Sequence, residues 1–227
     1  MKITKYGLVV VSALIWLLLP SSLRADIIFT NLAPGQVPGT ACCGAFGFGI
    51  GSTAGTVALA SQFTPGASFT FTDAILPLSV NQGVATADVF LMADVGGVPG
   101  AIMEQFVVTG LPGTNPVDPV DMFQVNSVLN PVLQAGISYW LAVSPDGAST
   151  SSVSWRRDST GDLNSASNLA TSTGSLAGPW TFVAGGVVDR PAFEIDGTPV
   201  PEPSSLLLLG TGLLGLAGMS WRKKLLA

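Results

Sequence analysis

Period-two alternation runs through the middle of the chain. Ala85, Ala87, Val89, Leu91 and Ala93 share one parity. Ile137, Tyr139, Leu141 and Val143 do likewise, set against Ser138 and Ser144. Val153 and Trp155 alternate with Ser152, Ser154 and Arg156, and Phe193 and Ile195 with Glu194 and Asp196. A strand sends successive side chains to opposite faces, so this spacing predicts half-buried strands. Phe69, Phe71 and the Ile75-Leu76 pair form a further run, in which Pro77 is expected to mark a bulge or a strand end. Turn signals separate these runs at Pro65-Gly66, Asn81-Gln82-Gly83, Gly96-Gly97-Val98-Pro99-Gly100, Leu111-Pro112-Gly113, Pro145-Asp146-Gly147 and Gly178-Pro179. Asp158–Gly178, rich in Ser, Asn and Gly, reads as a long loop or pair of turns. No long amphipathic helical pattern interrupts the series. The expected fold class is all-β, a β-sandwich or jelly roll over residues 26–197.

The two ends are patterned differently. Lys2 and Lys5 precede an apolar run from Gly7 to Leu19, Pro20 and Ser21-Ser22 break it, and Leu23-Arg24-Ala25 ends in a small residue. This order predicts a secretory signal peptide over residues 1–25, cleaved after Ala25. Thirteen apolar residues are short for a membrane span. At the other end, residues 198–203 read as a linker holding Pro201, Glu202 and Pro203. Residues 204–227 follow as an expected transmembrane helix with a basic tail. Its uncharged part, Ser204 to Trp221, would rise roughly 27 Å, enough for a thin bilayer core. Trp221 suits the interface, and Arg222, Lys223 and Lys224 would stay cytoplasmic, leaving the middle domain outside.

This tripartite tail resembles the PEP-CTERM sorting signal of Gram-negative bacteria, in Pro201-Glu202-Pro203, the Leu/Gly-rich helix and Arg222-Lys223-Lys224. The resemblance implies export by the Sec machinery and an inner-membrane intermediate. Exosortase, a membrane-embedded transpeptidase, would then remove the tail near the Pro-Glu-Pro motif. The product would go to the cell surface or extracellular matrix, in the company of exopolysaccharide and biofilm. Residues 56–197 also resemble the choice-of-anchor R type of extracellular domain. The matching phrases are Ala60–Gly66, Asp88–Leu91 leading to Asp94–Gly100, Leu133–Val143 and Ser154-Trp155. That resemblance implies a surface-displayed β-sandwich and brings no catalytic residues.

Composition sharpens the picture once the ends are set aside. The 227 residues are 48% hydrophobic and 10% charged, with a mean hydropathy of +0.54 and a net charge of −5. Residues 26–200 hold three basic residues (Arg156, Arg157, Arg190), no lysine and thirteen acidic ones, a formal charge of −10. Phosphate neutralisation needs Lys and Arg, so nucleic acid is excluded as a partner. The chain has no histidine, which excludes Ser-His-Asp and Cys-His hydrolases and histidine metal sites. Two cysteines hold neither a four-cysteine zinc nor an iron–sulfur cluster alone.

The remaining chemistry is sparse. Cys42 and Cys43 are neighbours and the only cysteines. In an oxidising compartment the pair is compatible with a vicinal disulfide, buried free thiols or an intermolecular bridge. Glu104 and Glu194 are the only glutamates in 26–200, and both read as outward, solvated strand residues rather than a glycosidase pair. Asp158-Ser159-Thr160-Gly161-Asp162 is the best local cluster for calcium, through Asp158 and Asp162, with Asp94 and Asp146 in other turns. Trp140, Trp155 and Trp180 offer flat faces for stacking on sugar rings, with Trp140 on the opposite parity from Tyr139. The expected function is a non-enzymatic, exported surface or matrix protein with no required cofactor. The alternative is a carbohydrate-binding or adhesive module that engages exopolysaccharide through surface aromatics or calcium.

Overall fold

A computed structural model describes residues 25–32, 41–46, 57–113, 122–145, 151–156, 169–173, 176, 178–182, 191–200, 210–212 and 214. Within them thirteen strands follow one another: β1 (Asp26–Thr30), β2 (Ala41–Phe46), β3 (Val57–Phe63), β4 (Phe69–Gln82), β5 (Thr86–Val95), β6 (Val98–Thr109), β7 (Met122–Asn126), β8 (Val132–Leu133), β9 (Tyr139–Pro145), β10 (Ser152–Arg156), β11 (Leu169–Thr173), β12 (Trp180–Phe182) and β13 (Glu194–Pro199). All thirteen pair antiparallel. Gly210, Thr211, Gly212 and Leu214 are helical. Among the described residues no helix is long and apolar enough to cross a membrane.

The long strand β4 belongs to two sheets. Its first half pairs with β13 on one edge and with β7 and β8 on the other, and β1 completes this first sheet beyond β13. From Leu78 onward β4 pairs with β10, and the second sheet continues through β2, β3, β9, β5 and β6. Pro77 sits at the crossing: Pro77↔Met122 is the last pair with β7, and Leu78↔Trp155 the first with β10. Pro77 was expected to bulge or end the strand. Instead the strand runs through it and changes sheets, because the missing N–H falls where one set of partners gives way to the next.

The inner faces of the two sheets meet in one core. Phe71, Ala74, Leu76, Val125, Leu133, Phe193 and Ile195 come from the first sheet or the approach to it, and face Leu59, Phe63, Val89, Leu91, Tyr139, Leu141, Val143, Val153 and Trp155 of the second. Aromatic rings close the gap. Phe71 meets Phe106 edge-on at 6.2 Å, and Phe193 meets Phe63 at 6.0 Å and Trp155 at 5.8 Å. Such pairs add to area burial because ring edges and faces carry opposite partial charge. Alternate residues of β5, β9, β10 and β13 turn to the shared inner face as expected, but β9 and β10 are buried at every residue rather than half-buried, and Ile137, expected in the β9 run, lies before the strand and is exposed.

The second sheet is also buried on its outer face. Ala60, Phe90, Met92, Trp140 and Ala142 form a second cluster under Leu176 and Trp180. This explains why every residue of β9 is buried. It also corrects the reading of Asp158–Gly178 as loop only, since β11 lies inside that range. Its polar Leu-Ala-Thr-Ser-Thr sequence becomes a strand by pairing along the edge of β3, from Leu169↔Ser61 to Thr173↔Val57.

Candidate functional site: the exit of the C-terminal segment

The last strand sets the geometry of this site. β13 lies inside the first sheet, between β1 and β4. Thr198 faces Thr70 and Pro199 faces Phe69, and the Val200 N–H then donates to Ser68 O at 3.0 Å. Thr198 and Pro199, expected in the linker, therefore belong to the sheet: extending β13 satisfies backbone groups that a linker would leave to water. The register shifts between Asp196 and Gly197. A Cβ on Gly197 would stand 2.5 Å from Thr70 O and 2.6 Å from Ile28 Cδ1, so only glycine fits. Pro201, Glu202, Pro203, Arg222, Lys223 and Lys224 lie outside the described residues.

The start of the expected mature chain reaches the same end. β1 runs antiparallel to β13 and begins with the pair Asp26↔Gly197. Asn31 fixes the far end of β1. Its side-chain amide donates to Pro191 O at 2.8 Å and its Oδ1 accepts from Phe193 N–H at 2.7 Å. Its backbone N–H adds a bond to Phe193 O. Trp155 Nε1 donates to Ala192 O at 2.8 Å, which ties the same segment to the second sheet.

Two loops flank the exit and are laced together. Gly136 N–H donates to Pro65 O, Ala135 N–H to Ser68 Oγ at 3.2 Å, and Gln134 N–H to the Tyr139 hydroxyl at 2.9 Å. Thr64 and Ser138 share a hydroxyl bond of 2.9 Å. The β5–β6 turn at Gly96-Gly97 closes the same end. Both glycines have positive φ, at 65° and 86°, the signature of a two-residue hairpin turn. Asp94 anchors the turn, accepting from Gly97 N–H, from Gln62 Nε2 at 2.9 Å and from Trp140 Nε1 at 2.7 Å.

On the outer face of the first sheet Asp73 lies opposite Asp196, with Glu194 on the same strand as Asp196. Asp73 accepts from Thr72 Oγ1 at 2.9 Å and from Gln124 Nε2 at 3.1 Å. Burial, the Asp73 and Glu194 charges and the hydrogen bond to Asp73 push the Asp196 carboxyl up to about 7. No side-chain cation offsets this cluster among the described residues, where Arg156 is the one basic residue and is buried.

The structure redistributes the sequence candidates. Trp140 and Trp155 are enclosed, at 0% and 1% exposure, so neither presents a face for sugar stacking. Parity does place Trp140 on the outer face, but the 176–180 segment covers it. Trp180 is half-buried and donates to Leu176 O at 3.1 Å. Glu104 is also corrected: it is buried, not outward. It shares the inner face with Phe106 and Val108 by period-two parity, and a bulge at Met103, between the pairs Leu91↔Glu104 and Met92↔Ile102, leaves Ile102 exposed instead. Its carboxylate accepts from Ser127 Oγ at 2.5 Å, Val128 N–H at 2.6 Å and Leu129 N–H at 3.0 Å, which joins the edge of the second sheet to the loop after β7. The shared parity with Phe106 and Val108 was the available signal. Glu194 is half-buried.

Cys42 and Cys43 lie in β2. Cys43 faces Trp155, and the register skips Cys42 before Ala41↔Arg156. Their side chains lie outside what the structure describes, as do Asp158, Asp162 and Asp146. Among the described residues no three acidic or cysteine side chains are grouped to hold a metal ion.

Residues 199–224 match the family model of the PEP-CTERM protein-sorting motif, and the match does not extend to residues 56–197. No curated protein matches the chain. Among solved structures, the infectious bursal disease virus VP2 subviral particle matches at 14% identity and a TM-score of 0.29, over 81% of this chain. The match takes in 43% of that viral chain, so this protein spans less than half its length. The sorting match begins at Pro199, the last residue of β13, so the motif follows the folded domain without a spacer. The chain thus carries a PEP-CTERM protein-sorting motif, which implies an exported protein that exosortase processes through a membrane-anchored intermediate.

Proposed function

We propose that this is a non-enzymatic surface or extracellular-matrix protein of the exopolysaccharide layer. Its sandwich or jelly-roll ectodomain, of the choice-of-anchor R type, is the delivered product, and residues after Val200 are its address. The observation that carries this reading is the junction itself. The domain is folded up to Val200, and the sorting motif begins at Pro199, so removal of the tail leaves β13 in place. The acidic, histidine-free middle of the chain supports a structural role over hydrolysis. A signal peptide over residues 1–25, cleaved after Ala25, would begin the mature protein with β1.

The test is replacement of Pro201-Glu202-Pro203 by three alanines in a producing cell that carries exosortase. The expected result is a longer product retained in the membrane fraction. Unchanged release of a shortened protein would contradict the reading. Binding of purified residues 26–200 to the producer's own polysaccharide tests the matrix role separately.

A further inference from the structure

One end of the sandwich gathers features that the sorting role alone does not use. The loops Thr64–Ser68 and Asn130–Ser138 and the strand end Gly197–Val200 contain no ionisable residue, in a middle region with thirteen carboxylates. Exposed aliphatic side chains at this end include Val95 (61%), Val132 (51%) and Ile137 (49%). Their positions follow from the register. Val132 lies opposite Thr70, which faces Thr198 on its other side, whereas Ile27 lies opposite Asp196 and is set apart from this end. Ile137 belongs to the loop bonded to Pro65 and Ser68, and Val95 to the hairpin that ends at Gly96-Gly97. The acids at this end are Asp26 at the start of β1 and Asp94, whose carboxylate is taken up by Gln62, Trp140 and Gly97, and the Asp73–Asp196 pair borders it further along β4 and β13.

The tether is short. Val200 is fixed to Ser68, and the apolar run begins at Ser204, four residues on, with two prolines between. Four residues span at most about 14 Å. We propose that this end of the sandwich, carrying Val95, Val132 and Ile137, lies against the lipid surface in the membrane-anchored intermediate. The proposal rests on the sorting segment being the anchor. A small aliphatic face on loops without ionisable residues suits the headgroup region, where apolar side chains gain by leaving water. The acidic remainder of the domain would be repelled by anionic lipid and points away. The bonds between Gly136 and Pro65, Ala135 and Ser68, and Thr64 and Ser138 hold the two loops to each other.

The unprocessed chain in phosphatidylcholine nanodiscs, with headgroup-linked gadolinium lipid, tests this by residue-resolved NMR. Co-purification with the discs first reports whether the sorting segment anchors. Amide signals of Gly66, Ala135, Ile137 and Val200 are expected to lose intensity, while those of Asn81, Gly83 and Val84, at the opposite end of β4, keep theirs. Val132→Asp with Ile137→Asp is expected to restore the lost intensity without release from the discs. Failure to co-purify would remove the anchor and the proposal with it. Co-purification with equal broadening at both ends, or broadening unchanged in the double variant, would overturn the docking face alone.

Discussion

Ser68 and Val200 share a backbone hydrogen bond of 3.0 Å that closes the domain one residue before Pro201. Ser68 immediately precedes β4 and Val200 follows β13, so the bond pins the exit of the tail to the sheet. The sorting motif, matched from Pro199, therefore starts directly at the sheet. Gly197 makes the close approach possible. Gly197→Ala would force a methyl against Thr70 O, a backbone atom that cannot move aside. A cost of about 1–3 kcal/mol is expected, measured by urea denaturation. An unchanged midpoint would contradict the packing described.

Glu104 is a structural carboxylate. Replacing it by alanine leaves the Val128 and Leu129 N–H groups and the Ser127 hydroxyl without their acceptor. The expected loss is about 2–4 kcal/mol in a chemical melt, because hydrogen bonds to a buried charge are among the stronger kind. Loss of hydrogen-exchange protection should concentrate at Val128 and Leu129. A change below about 0.5 kcal/mol, the range of ordinary surface substitutions, would contradict the latch.

Asp196 links stability to pH. Its folded carboxyl titrates at about 7 against an ordinary 3.8, so the folded state holds the proton more tightly. The stabilisation is full below about pH 4 and is lost as pH rises through 7. The chain has no histidine to obscure this window. The carboxyl is partly exposed, so screening holds the effect to about 1 kcal/mol, or about 2–4 °C in Tm. Tm is expected to fall from pH 5 to pH 8, and Asp196→Asn to flatten that fall and to be the more stable at pH 8. Parallel curves for the two proteins would rule this out.

Trp140 and Trp155 are core residues. Either change to alanine is expected to cost about 3–5 kcal/mol. Lost polysaccharide retention in Trp140→Ala would therefore report unfolding rather than a binding face. Trp180→Ala is the informative variant, scored by retention together with a melting curve. Near-native stability of Trp140→Ala would contradict its place in the second cluster.

The strands with strict alternation were legible in the sequence because one face is apolar and the other polar, as in β10 and β13. Features set by distant partners were not. Trp140 obeys its parity, yet its burial depends on Leu176 and Trp180, which nothing nearby announces. β11 is polar and exists through its pairing with β3. Glu104 was readable from Phe106 and Val108, but a charged residue on an apolar face is resolved only by the loop that satisfies it. Pro77 was visible as an interruption, while the change of sheet needed the positions of β7 and β10. The sorting motif was the most legible element, since it is recognised as linear sequence and needs no partner strand.

The point at which the tail is cut decides whether the released domain keeps β13. The direct measurement is the intact mass and terminal sequence of the protein released to the surface or matrix of a producing cell. The expected product keeps β13 through Val200, ends within or just after Pro201-Glu202-Pro203, and lacks Arg222-Lys223-Lys224. A released product that retains Arg222-Lys223-Lys224, or one truncated before Val200, would contradict it.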